Sequence, residues 1–169
     1  MITAKQEPIR IEIQRDRDAL IALGRVTANW AYYEQRIDLW LNVLLNQPEA
    51  EQFPNDLRTA FKRRIRLWRQ LSKVVHGEHD KLQRIQEIIS RSAKARDDSD
   101  AIVHGYWTLS GDVFTVGTAN SQIQIKQRRM STRYVSKVAD EIAALIWDHT
   151  EFYQRFAIKL ATGEDIPYE

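Results

Sequence analysis

The chain has 169 residues, 43% of them hydrophobic and 28% charged, with 25 basic and 23 acidic side chains and a net charge of +2. These values fit one globular domain, residues 1–169, large enough to hold a core without disulfide or metal. The absence of cysteine excludes disulfide frameworks, thiolate nucleophiles and cysteine-ligated metal centres.

No apolar run approaches the ~20 residues that span a bilayer. The first eighteen residues lack the apolar stretch of a secretion signal, so no membrane association and a cytoplasmic location are expected. Residues 1–15 read as an N-terminal arm. The first helix is expected from Asp16 to Asn46, because Leu23, Val26, Trp30, Tyr33, Ile37, Trp40 and Leu44 keep a 3–4 spacing. Gln47-Pro48 ends it, since proline cannot continue a helix.

A second helix is expected from Asn55, with Leu57, Phe61, Ile65, Trp68, Leu71 and Val75 as its apolar stripe. Its other face is basic, and no acidic residue lies between Leu57 and Gly77. Gly77 suits the position after the helix, where a left-handed residue is needed. The third helix runs from His79-Asp80 to about Val103. Its stripe starts apolar with Leu82, Ile85 and Ile89. It then turns polar through Ser92 or Ala93, Arg96, and Ser99 or Asp100.

Gly105 ends that helix. Tyr106–Leu109, Val113–Val116 and Gln122–Lys126 read as short strands, expected to lean on the helices through Trp107, Phe114 and Ile125. The last helix is capped by Ser131 or Thr132. Val135, Val138, Ile142, Leu145, His149, Phe152 and Phe156 form its stripe, widened by Ile146, Tyr153 and Leu160. Residues 161–169 read as a frayed tail. The predicted fold is mostly α, a four-helix-type bundle with a small antiparallel β-hairpin between the third and fourth main helices.

Arg96, Asp100 and His104 follow one another at four-residue steps, drifting only about 40° per step around a helix, so one face presents all three. A carboxylate beside an imidazole fixes its tautomer, and a guanidinium can hold a phosphate. The simpler reading pairs Arg96 with Asp100 or Asp97 and leaves His104 at the helix end, against its dipole. A second candidate is a phosphate-tracking surface made of Arg58, Lys62, Arg63, Arg66 and Arg69, joined by Arg128 and Arg129. The simpler reading there is a solvated helix face. His76, His79 and Asp80 lack a third strong ligand, so neither a metal nor any other cofactor is expected. His149, on an apolar stripe, reads as a core histidine hydrogen-bonded to a neighbour, or as an interface residue.

The early Trp30-x-x-Tyr33-Glu34, a basic helix, a third helix ending in Asp100-Ala-Ile-Val-His104-Gly105-Tyr106-Trp107, a hairpin and a final helix together resemble bacterial members of the HEPN superfamily. The resemblance covers roughly residues 20–160. It implies a dimeric helical domain, related to metal-independent ribonucleases of toxin or antiviral systems. It also implies catalytic roles for His104, Asp100 and an arginine, for which Ser99 stands at the usual place and Arg96 is the nearest. The expected function is a HEPN-like homodimeric accessory module that binds RNA or nucleotide without efficient catalysis. A ribonuclease and a structural module bound to a protein partner are the alternatives.

Overall fold

The structure is a computed structural model that describes residues 17–53, 60–77, 79–104, 106–110, 113–119 and 125–164. Four helices make up the bundle: α1 (Arg17–Leu45), α2 (Phe61–His76), α3 (His79–His104) and α4 (Thr132–Thr162). Three strands lie between the last two: β1 (Tyr106–Ser110), β2 (Val113–Ala119) and β3 (Ile125–Ser131). The mostly-α bundle is as expected, and the inserted element is a three-stranded antiparallel meander in the order β1-β2-β3.

Side-chain contacts give the helix directions. Arg25 pairs with Asp140 and Arg36 reaches Thr150, so α1 and α4 climb together. Phe61 lies on Trp30, Arg64 on Asp38, and Trp68 bonds Tyr153, so α2 climbs the same way. Ser92 meets Tyr33 while Arg96 lies over Phe61, which sets α3 antiparallel to the other three. Two successive parallel helices need a returning connection between Leu45 and Phe61. That connection opens with a short turn at Pro48–Ala50, whose alanine is buried.

The stripes read from spacing form the core. Val26, Tyr33, Ile37 and Leu44 of α1, Trp68 and Leu71 of α2, and Val135, Ile142 and Phe152 of α4 are all buried. Leu160 is a correction: it is 51% exposed, because the last turns of α4 extend beyond the packed part of the bundle. The helix also enters the expected tail, ending at Thr162. Gly163 (φ 76°) caps it with a backbone N–H to the carbonyl of Lys159 at 2.8 Å.

Gly77, at φ 64°, ends α2 as the spacing suggested. The Ser131 hydroxyl accepts the backbone N–H of Tyr134 and caps α4. α2 begins at Phe61 rather than at Asn55, because Ala60 (φ −55°, ψ 145°) has left the helical region and stands as its N-cap. The N-terminal arm, Asn55, Leu57, and the side chains of Trp107, Phe114 and Ile125 lie outside the described residues.

In the meander Trp107 stands opposite Val116, and Phe114 opposite Met130. The third strand occupies Ile125–Ser131 rather than Gln122–Lys126, so Arg128 and Arg129 belong to a strand. β2 adjoins α3 and β3 adjoins α4, which seats the sheet at the foot of the bundle, where α3 ends and α4 begins.

Candidate functional site

The polar stretch of α3 divides into an inward and an outward face. Inward, Ser92 and Ser99 are fully buried. Ser92 donates to the carbonyl of Ile88 at 2.6 Å and bonds the Tyr33 hydroxyl; Ser99 donates to the carbonyl of Arg96 at 2.9 Å. Burial is what drives the Tyr33 phenol above its ordinary pKa. Small hydroxyl side chains let neighbouring helices approach α3, and the local carbonyls satisfy them. The loss of apolarity in this part of the stripe thus has a packing cause.

Asp98 is the residue that spacing alone missed. It is 6% exposed and accepts two hydrogen bonds, from Arg128 of β3 at 3.1 Å and from the Tyr134 hydroxyl of α4 at 3.0 Å. One carboxylate therefore ties α3 to the sheet and to the foot of α4. Partial burial, followed by the bond to Asp98, raises the Tyr134 phenol above its usual pKa. Three acids in four residues (Asp97, Asp98 and Asp100) carried the signal, but only the fold selects the middle one.

Outward, Arg96 and Asp100 come together as an ion pair of 2.9 Å. The guanidinium of Arg96 also lies 5.7 Å from the centroid of the Phe61 ring at the foot of α2. A planar cation held by a carboxylate and an aromatic face has little freedom to swing onto a substrate phosphate. His104 is exposed at the last position of α3, with no hydrogen bond or ion pair among the described residues. The structure thus joins two members of the proposed trio and leaves the third one turn further along the same helix, on the solvent side.

The basic face of α2 is an open surface. Lys62, Arg63, Arg66, Arg69 and Lys73 are all exposed, and none has an ion-pair partner among the described residues. At 100° per residue, Lys62, Arg66, Arg69 and Lys73 fall within about 60° of one another, in a row of roughly 16 Å. Arg64 is different. It turns inward and binds Glu34 at 2.6 Å and Asp38 at 2.7 Å, joining α1 to α2. Arg128 is half-exposed and held by Asp98, whereas Arg129 is exposed; Arg58 lies outside the described residues.

His76 and His149 lie within the aromatic core, apart from these residues. His76 packs edge-on against Phe152 and Phe156, and the side chains of His79 and Asp80 lie outside the described part. His149 is fully buried among Tyr33, Trp68 and Tyr153, at ring-centroid distances of 5.7, 4.8 and 4.9 Å. Its position in the core fits the sequence reading, but the expected hydrogen bond is absent. Neither ring nitrogen has a partner among the described residues, because aromatic rings surround it. Comparison with known proteins finds no family model, curated protein or solved structure that matches this chain.

Proposed function

We propose that the chain is a HEPN-like dimeric accessory module that holds the phosphate backbone of RNA on α2 and does not cleave it efficiently. The observation that carries this reading is the row of exposed cations at Lys62, Arg66, Arg69 and Lys73, with Arg63 beside it, none paired with an acid among the described residues. A helix face that gives up its acids and leaves four cations without partners among the described residues favours a polyanion over solvent alone. The engagement of Arg96 by Asp100 and Phe61 supports the non-catalytic half.

A second reading, a metal-independent ribonuclease, draws on one observation. Arg96 and Asp100 share the face on which the exposed His104 follows. There His104 would act as the acid–base, Asp100 would orient it and Arg96 would hold the phosphate.

Binding is tested by fluorescence anisotropy with a labelled single-stranded RNA. Four phosphate contacts predict a log–log salt slope near −2.8 for a single strand, or roughly 50-fold weaker binding at 200 mM than at 50 mM salt. Arg63→Glu with Arg66→Glu should remove most of that affinity and reduce the slope. Absence of binding at 50 mM salt, or binding that the double reversal leaves intact, overturns the reading.

A further inference from the structure

The outer rim of the α1–α4 seam carries an apolar face that nothing in the described bundle covers. Arg25 and Asp140 pair across this rim, with side chains 47% and 65% exposed. Seven residues on, each parallel helix returns to within about 20° of the same direction. That step places Tyr32 beside Trp147. Trp147 is 73% exposed and Tyr32 49%, with Ile21 (49%) and Leu39 (47%) on the same face of α1. Ala28, Ala143 and Ala144 are exposed between them, leaving the surface low enough for another helix to approach.

From the level of Arg25 and Asp140 up to Leu39, the charges beside this face are already engaged; below that stretch Arg133 of α4 is exposed. α1 has four charged residues between Ala19 and Leu45. Arg25 pairs with Asp140, Glu34 and Asp38 hold Arg64, and Arg36 donates to Thr150 at 3.2 Å while its guanidinium lies over Trp40. On α4, Asp148 is bound by Arg91 and Glu151 by Arg155. A highly charged partner would find few uncommitted counter-ions along this stretch, whereas the Arg25–Asp140 pair set against its own copy is self-complementary.

We infer that this face takes a second copy of the same chain. A two-fold axis running along the seam sets each Tyr32 on the partner copy's Trp147, with the α1 helices of the two copies parallel. The stretch from Ile21 to Leu39 is about 27 Å long and two helices are roughly 20 Å wide. Such a face buries about 550 Å² per copy, or about 1,100 Å² for the pair, just above the ~1,000 Å² that a specific interface needs. An aromatic pair at the centre of a small interface fits a hot spot and a dissociation constant in the micromolar range. The inference rests on the dimeric part of the proposed function and on none of its nucleic-acid part, since α2 lies outside the seam.

The test is sedimentation velocity from 1 to 100 μM without RNA. Wild-type protein should shift from monomer to dimer, and Trp147→Glu should weaken association at least tenfold with an unchanged melting temperature. If that variant fails to fold, Leu39→Glu serves with the same readout. Arg63→Glu with Arg66→Glu should dimerise as wild type does, which separates this inference from the RNA reading. A monomer at 100 μM, or a Trp147→Glu protein that dimerises as tightly as wild type, overturns it.

Discussion

His149 sets the pH dependence of the bundle at the scale of one residue. Burial, followed by the nearby Arg36 charge, lowers its pKa from 6.5 to about 3. In the folded chain it is neutral down to about that pH, whereas the unfolded chain takes up its proton below 6.5. Between these values the unfolded state binds more protons, so stability falls as pH falls, by about 1.4 kcal/mol per unit. Stability at pH 4.5 should be roughly 2–3 kcal/mol lower than at pH 7.5 on this account alone. His149→Phe, of similar shape and with no ring nitrogens to desolvate, should flatten that slope and be neutral or stabilising at pH 7.5. Urea titrations of both proteins at the two pH values measure the difference, and equal slopes would contradict it. Spacing alone put position 149 in the core, but could not show that its ring nitrogens lack partners among the described residues, because the ring cage of Tyr33, Trp68 and Tyr153 comes from three helices.

At the scale of elements, helices were legible wherever apolar residues recur at 3–4 spacing over several turns, as from Val26 to Leu44. The sheet was less so. Its third strand, Ile-Lys-Gln-Arg-Arg-Met-Ser, is mostly polar, and only its pairing with β2 and the burial of Met130 reveal it. Asp98 holds that strand to α3 and α4 with two charge-assisted bonds. Asp98→Asn should cost about 2 kcal/mol, because it weakens both bonds while Arg128 can turn to water. The loss should appear as a lower chemical-denaturation midpoint with unchanged far-ultraviolet helix content. Asp97→Asn, on the exposed neighbour, should change the midpoint little. Equal effects would show that Asp98 is not the clamp.

For the whole molecule, three parallel helices and one antiparallel helix divide the surface by chemistry. The foot carries the sheet, the Asp98 clamp and the Arg96–Asp100 pair; α2 carries exposed cations with no ion-pair partner among the described residues; the α1–α4 rim carries exposed aromatics beside the Arg25–Asp140 pair. The fold class was legible because it depends on periodicity within each segment. The candidate site was only half legible. Four-residue spacing put Arg96, Asp100 and His104 on one face, but the ring of Phe61, thirty-five residues earlier, decides what Arg96 can reach. The central claim, that the bundle holds RNA without efficient catalysis, is tested most directly by incubating the protein with labelled RNA in EDTA beside His104→Ala. The account predicts RNA that is bound at low salt and stays intact over hours in both samples. Cleavage by the wild-type protein that disappears in His104→Ala would contradict it and make the end of α3 an active site.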